Sequence, residues 1–183
     1  MDIRKTLLAL GEIKPVVGDE FHPMREAEIA EVESAIKAAL PDGYRRFLMQ
    51  FGAIGLPTDT EYRPSSTLPA SLASNGAGSI DLFYGSADDD VYSLRSHLGS
   101  IRDRMPPGFL PIGSTFFGDQ ICLGTSVRDG NRIFYWDHHN DRTEQDYIDD
   151  GLPVPPDVRY QNVTLIADSF EAFLDRLYVK PAD

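Results

Sequence analysis

Cysteine and long apolar runs are almost absent from this sequence. Cys122 is the single cysteine, so the chain forms no internal disulfide and shows no sign of an oxidising compartment. The apolar run near the N-terminus covers only residues 7–10, whereas the core of a signal peptide needs roughly 7 to 15 apolar residues. Nothing approaches the roughly 18 apolar residues of a membrane span. We therefore expect a cytoplasmic protein that does not enter a membrane.

Positive charge is also scarce. The chain has 17 Lys and Arg residues against 29 Asp and Glu residues, which gives a net charge of −12 at pH 7. Such a field repels phosphate backbones and attracts basic proteins, so we expect no direct binding to nucleic acid. The alternative explanation is solubility, because a net charge far from zero keeps a protein soluble without any partner. The 183 residues, 42% of them hydrophobic, suit one folded domain.

The sequence lacks the common motifs of phosphate binding and covalent catalysis. It has no GxxxxGK, no strand followed by GxGxxG and no GxSxG. Cys122 lies in an apolar run, where a cysteine is usually a small buried hydrophobic residue. No motif therefore indicates an enzyme.

The segment WDHHND at 136–141 contains histidine and aspartate, which are common metal ligands. Adjacent histidines on a strand point to opposite faces and cannot hold one ion there, although a loop relaxes that restriction. One hypothesis is therefore a metal-dependent hydrolase that uses Asp119, His138 and His139. We favour the alternative, a solvated strand end, and we expect no catalysis, no metal ion and no cofactor.

Hydrophobic spacing predicts two helices in the first third of the chain. Apolar residues recur on one face across 24–40, and a second helix begins after Pro41 and ends at Gly52. Residues 53–79 are rich in Gly, Pro, Ser and Thr, which predicts a long loop insertion. A loop of that length is either functional or mobile.

The next part of the chain predicts a strand at 80–84 and a short helix at 88–98. Carboxylates suit the positive end of a helix dipole, so an acidic first turn explains three consecutive aspartates in structural terms. These are Asp88, Asp89 and Asp90. A calcium-binding loop would need a glycine at a set spacing, and none follows.

The second half of the chain predicts an antiparallel meander. The expected strands cover 109–112, 120–123, 132–136 and 163–166. The pair Asp129-Gly130 is a strong hairpin signal, and 137–161 is a polar, proline-rich connection. The final helix is expected to begin at a capping box of Asp168 and Glu171 and to include Leu177 on its apolar face.

This order of elements predicts an α+β fold in which helices flank a mainly antiparallel, or mixed, sheet. We expect a single domain over 1–183, with its core at about 24–178 and the loop insertion at about 53–79.

The stretch LPIGSTFFGDQICLG at 110–124 has two interpretations. Either Asp119 is a catalytic or metal-binding carboxylate in an active-site loop, or Gly118 and Asp119 form a turn between buried strands. Glycine permits a sharp bend and aspartate accepts hydrogen bonds from nearby backbone N–H groups, so we favour the turn. In that case we expect one of the rings of Phe116 and Phe117 to point inward.

Five features occur in an order that resembles a known family. An acidic amphipathic helix is followed by LPDGYRRFLMQFGAIG at 40–55, FLPIGSTFFGDQICLG at 109–124, RIFYWDHH at 132–139 and IADSFEAFLDRL at 166–177. In these features the chain resembles the SUKH superfamily. Its founding members are fungal cell-wall synthesis regulators of the Smi/Knr type, and most bacterial members are immunity proteins of polymorphic toxin systems. The resemblance implies an α+β fold and no catalytic activity.

The resemblance also implies a function in protein binding. We expect an immunity protein that binds and neutralises a cognate toxin, with a basic nuclease domain as the expected partner. The alternative within the family is a scaffold or regulatory protein that binds several partners through the long loop. FGAIG at 51–55 and the length of 57–79 depart from the usual pattern, which leaves this choice open.

Candidate partner-binding residues come from the acidic triplet, the long loop and the strand end. They are Glu61, Tyr62, Asp88, Asp89, Asp90, Trp136, Asp137 and His138. For Trp136 a position in the core is the alternative, because a lone tryptophan in an apolar strand is usually buried.

Overall fold

The computed structural model describes residues 1–68, 76–100 and 104–181 of the chain. Within these residues the helices are α1 Ile3–Leu8, α2 Glu26–Ile36, α3 Asp42–Gln50, α4 Leu94–Ser100, α5 Glu144–Asp149 and α6 Phe170–Leu174. The strands are β1 Lys14–Pro15, β2 Ile54–Gly55, β3 Thr60–Tyr62, β4 Gly78–Ser79, β5 Leu82–Phe83, β6 Phe109–Ser114, β7 Gln120–Gly124, β8 Ile133–Trp136, β9 Val163–Ala167 and β10 Leu177–Val179. Short 3₁₀ turns cover His138–Asn140 and Val158–Tyr160.

Seven strands form one sheet in the order β1-β2-β5-β6-β7-β8-β9, and three form a small sheet in the order β10-β3-β4. In both sheets, neighbouring strands pair antiparallel. The α+β class and the mainly antiparallel sheet are therefore confirmed. The hairpin signal is also correct, since Gly130 and Asn131 between β7 and β8 have φ values of 55° and 61°.

The main core lies on one face of the large sheet, where an aromatic cluster fills the space below α3 and α6. Residues three and four apart share one face of a helix, so Tyr44 and Phe47 of α3 and Phe51 directly after it all point inward. The Phe47 ring lies 5.2 Å from Phe83 of β5 and 5.5 Å from Phe170 of α6. Each buried side chain of this size contributes about 1.5 to 3 kcal/mol relative to exposure.

A smaller core lies on the other face of the large sheet. Side chains alternate along a strand, so Cys122 points away from its neighbours in β7 and joins Met105, Phe134 and Trp136. All four are buried. In the described part of the chain, no helix has the length and apolar character to cross a bilayer.

The predicted helix at 88–98 begins later than expected, at Leu94 in α4. The Asp89 side chain accepts a hydrogen bond from the backbone N–H of Val91 at 2.9 Å. Aspartate side chains stabilise turns through such bonds, so the acidic triplet forms a turn before the helix and not its first turn.

The last predicted helix is shorter than expected. The Ser169 hydroxyl, and not the Asp168 carboxylate, caps α6 by accepting a hydrogen bond from the N–H of Ala172 at 3.1 Å. Leu177 was expected on the helix, but it begins β10 and pairs with Tyr62 of β3. The helix ends early because the backbone that follows it pairs in the small sheet.

The predicted loop insertion at 53–79 contains β2, β3 and β4, and its residues 69–75 lie outside the described residues. These strands have two or three residues, which is too few to show alternation. The N-terminal region also adds to the core beyond the predicted bounds, because Ile3, Leu7 and Ile13 are buried.

One end of the large sheet, here named the tip end, contains the turn from β6 to β7 at residues 115–119. β8 ends there and β9 begins there, because Trp136 pairs with both Gln120 and Val163. The connection 137–161 therefore leaves and rejoins the sheet at the tip end. The β7–β8 turn lies at the opposite end, about 17 Å away along the five residues of β7.

Candidate functional site

The turn at the tip end is held in one conformation by backbone hydrogen bonds. The N–H of Thr115 donates to the carbonyl of Asp119 at 2.9 Å, and the N–H of Gly118 donates to the carbonyl of Thr115 at 3.0 Å. The Gln120 side-chain amide donates to the Gly118 carbonyl at 2.7 Å. Gly118 has a φ of 90°, a value that favours glycine. The prediction of a turn at Gly118 and Asp119 is confirmed.

Both phenylalanines of this turn point outward. Phe116 is 80% exposed and Phe117 is 71% exposed, and their rings meet edge to face at 5.6 Å. The expectation that one ring points inward is wrong. The Asp119 side chain is the group that turns into the protein at this position, where it is only 6% exposed.

Asp119 is a buried carboxylate that joins three elements. It accepts a hydrogen bond from the Tyr135 hydroxyl of β8, and it accepts one from the backbone N–H of His138 at 3.2 Å. The Nδ1 atom of His138 lies 2.7 Å from the same carboxylate, which is a hydrogen-bond distance. Burial and the bond to Asp119 raise the pKa of Tyr135, so this hydroxyl stays protonated and remains a donor.

The two histidines lie on a 3₁₀ turn directly after the end of β8, and both are at least partly exposed, as the predicted solvated strand end requires, although Asp137 is buried. The Asp137 side chain accepts hydrogen bonds from the His139 N–H at 2.9 Å and from the Asn140 side-chain amide at 2.5 Å. This turn places both imidazoles on the same side of the backbone, with their centroids 3.9 Å apart. Nδ1 of His139 is 3.5 Å from the Asp119 carboxylate.

Asp119, His138 and His139 therefore come together, with one ligand-type atom of each within 4.8 Å of the others. Two ligands of one tetrahedral zinc ion lie about 3.3 Å apart when each is 2.0 to 2.1 Å from the metal. The 2.7 Å between Asp119 and His138 is shorter than that separation and matches a direct hydrogen bond. The arrangement therefore fits a structural hydrogen bond between Asp119 and His138 better than a metal centre.

Cys122 does not have the surroundings of a nucleophile. It is fully buried, and burial raises the pKa of its thiol well above the usual value. A reactive cysteine needs a stabilised thiolate and access to solvent, so Cys122 is a core residue.

Three of the predicted partner-binding residues are buried. Tyr62 and Trp136 have almost no exposed surface, and Asp137 is only 4% exposed. The Tyr62 ring packs against Phe173 at 5.2 Å, and Trp136 belongs to the smaller core. These side chains are unable to touch a partner unless the fold opens. The prediction that they contact a partner is therefore wrong.

The remaining predicted residues do not share one surface. Asp88, Asp89 and Asp90 are exposed, but they lie beyond the end of β5 that points away from the tip end. Glu61 is half-buried and accepts a hydrogen bond from Tyr178 at 2.7 Å. Only His138, which is partly exposed, lies at the tip end.

The sequence interpretation missed Phe116 and Phe117 as surface residues. The available signal was their position directly before a Gly-Asp turn, because residues at the tip of a two-strand hairpin seldom reach a core. Their hydrophobic character alone predicted burial.

The connection 137–161 is rich in carboxylates and runs from the tip end to the opposite end of the sheet, where Asp157 lies 3.6 Å from Arg128 of the β7–β8 turn. It contains seven carboxylates and two arginines, and its helix α5 begins at a capping box between Thr143 and Asp146. The backbone N–H and the hydroxyl of Thr143 hydrogen-bond to the Asp146 carboxylate and lower its pKa. Apolar side chains are exposed along the same connection. They are Ile148, Leu152 and Val154.

A family model described as the SMI1 / KNR4 family (SUKH-1) matches residues 23–176 of this chain. The chain belongs to the SUKH-1 family. SUKH proteins bind protein partners and are in general immunity or regulatory proteins without catalytic activity. The matched region begins shortly before α2 and ends after α6, so it contains the tip end and both cores.

One curated relative is the "SPbeta prophage-derived uncharacterized protein YokK" of Bacillus subtilis (strain 168). It is 27% identical to this chain over 165 residues, which cover 85% of this chain and 76% of the relative. This similarity agrees with the family match over most of the fold.

Proposed function

We propose that this SUKH-1 protein is an immunity protein that binds a basic toxin domain and blocks the surface with which the toxin holds its substrate. The observation that carries the proposal is the excess of carboxylates in the connection 137–161, within a chain whose net charge is −12. Family membership supports a function in protein binding.

The physical reason is charge complementarity. A nuclease holds phosphate groups with lysine and arginine, so its active cleft carries a positive potential. A carboxylate-rich surface is attracted to that cleft, which accelerates association and suppresses binding to acidic proteins. His138 lies at the tip end, and we propose that it belongs to the contact surface.

We propose that the exposed triplet of Asp88, Asp89 and Asp90 attracts the toxin domain without touching it. The triplet lies at the opposite end of the sheet, so it contributes to the long-range field and not to direct contacts at the tip end. The attraction between such charges weakens over about 8 Å at physiological ionic strength.

The test is protection of cells by co-expression. We expect a long open reading frame next to the gene of this protein to end in a small basic domain, and that domain is the probe. We expect cells that produce the toxin domain to survive only when this protein is also produced. Death of the cells despite soluble production of both chains would refute the proposal. A variant toxin without activity serves as the control for general toxicity.

A further inference from the structure

We infer that Phe116 and Phe117 form the anchor of the partner-binding surface and insert into an apolar pocket that basic residues surround. This inference rests on the proposed function, because it names the contact by which the toxin domain is held. It concerns the two exposed rings of the turn at the tip end.

The exposure of these rings is an exception within this protein. The other eight phenylalanines are all buried or half-buried. Rings from α3 and α6 pack together in the main core. A phenylalanine left in water does not gain the free energy that burial of its side chain would provide. Two adjacent exposed rings therefore indicate a surface that a partner covers.

The turn presents the two rings rigidly. Its backbone is fixed by the hydrogen bonds of Thr115 and Gly118, and the buried Asp119 carboxylate ties it to Tyr135 and His138. Ordering a flexible loop on binding costs free energy, whereas a preformed turn avoids most of that cost. Aromatic anchors on a fixed backbone are typical of residues that dominate binding energy.

The net charge of the chain selects the chemistry of the partner. The chain carries a net charge of −12, and the connection 137–161, which leaves and rejoins the sheet at the tip end, contains seven carboxylates and two arginines. A basic protein complements that charge. A second copy of this chain would bring another net charge of −12, and an anionic membrane surface would also be repelled.

The test compares binding of wild-type protein and the double variant Phe116→Ala/Phe117→Ala to an inactive form of the neighbouring toxin domain. We expect the double variant to bind at least about 100-fold more weakly, mainly through faster dissociation, because anchor residues act on the dissociation rate. Both residues are exposed, so the thermal unfolding midpoint should not fall.

Val127 provides a matched control. It is fully exposed on the β7–β8 turn at the opposite end of the sheet, so Val127→Ala removes exposed apolar surface away from the tip end. We expect this variant to change the affinity by less than about twofold.

The possible outcomes separate the inference from the proposed function. If wild-type protein protects cells and the double variant binds equally well, the inference is overturned and the function stands. If wild-type protein neither binds the toxin domain nor protects cells, the inference and the proposed function are both refuted. If sedimentation shows that the wild-type chain self-associates and the double variant does not, the anchor serves a second copy and the inference about a basic partner is wrong.

Discussion

At the residue scale, Asp119 determines the conformation of the tip end. A buried carboxylate is stable only when hydrogen bonds replace its lost hydration, and Asp119 has donors on β8 and on the 3₁₀ turn that follows it. These bonds connect residues that are 16 and 19 positions apart in the chain. Asp119 therefore links the β6–β7 turn to the histidine turn.

We predict that Tyr135→Phe lowers the free energy of unfolding by about 1 to 3 kcal/mol, because it removes one donor from the buried Asp119 and leaves the ring in place. Urea denaturation followed by tryptophan fluorescence measures this change. His139→Ala is the control. His139 is mostly exposed, so this variant should lower the free energy of unfolding by less than about 0.5 kcal/mol. Equal stability of Tyr135→Phe and wild type would show that the bond is not required.

A second residue-scale prediction concerns metal ions. Because Asp119 and His138 are joined by a hydrogen bond of 2.7 Å, we predict that gently purified protein contains far less than one zinc, nickel or manganese ion per chain. Elemental analysis measures the content, and a chelator should leave the thermal unfolding midpoint unchanged. One ion per chain in wild type that is lost in His139→Ala would instead establish a metal centre.

At the element scale, β5 and β6 leave no room for a side chain at Gly113. Strand β6 has a register irregularity between Pro111 and Gly113, and Gly113 pairs with Phe83. A Cβ atom on Gly113 would lie 2.4 Å from the backbone carbonyl oxygen of Leu82. The glycine of the Pro-Ile-Gly sequence is therefore required by the packing of two strands.

We predict that Gly113→Ala destabilises the protein by about 1 to 3 kcal/mol, because β5 must move away from β6 to accommodate the methyl group. Gly99→Ala is the matched control. Gly99 lies in α4, and among the described residues outside the backbone of that helix no heavy atom lies within 4 Å of its added Cβ, so alanine should stabilise the helix by about 0.5 to 1 kcal/mol. Denaturation of both variants should therefore show shifts of opposite sign, and shifts of the same sign would contradict the packing argument.

At the scale of the whole molecule, the position of the negative charge matters more than its total. The carboxylate-rich connection 137–161 leaves and rejoins the sheet at the tip end but reaches Arg128 of the β7–β8 turn through Asp157, and the aspartate triplet lies beyond the end of β5 that points away from the tip end. Charges near a contact surface act on the association rate more strongly than distant charges, since salt screens the distant ones.

We predict that Glu144→Gln/Asp149→Asn slows association with the toxin domain several-fold at low salt and changes dissociation little. Asp88→Asn/Asp89→Asn removes the same charge at the opposite end and should have a smaller effect. Surface plasmon resonance at two salt concentrations measures both rates. A larger effect of the second variant would place the contact surface at the end that carries the triplet.

The local elements with clear periodicity could be predicted from the sequence. The spacing of Tyr44, Phe47 and Phe51 identified α3, and apolar runs on both sides of an Asp-Gly pair identified β7 and β8. The two- and three-residue strands between 53 and 79 could not be predicted in this way. A strand of that length is defined by its neighbours in the sheet and not by its own pattern.

The sequence by itself determined the fold class, the long amphipathic elements, the acidic character and the presence of a turn at Gly118 and Asp119. These properties depend on composition and on contacts between residues close in the chain. Only the tertiary structure decided that Phe116 and Phe117 face solvent and that Trp136 does not. The reason is that the burial of a strand-end side chain depends on whether another element covers it, and the covering elements come from distant parts of the chain.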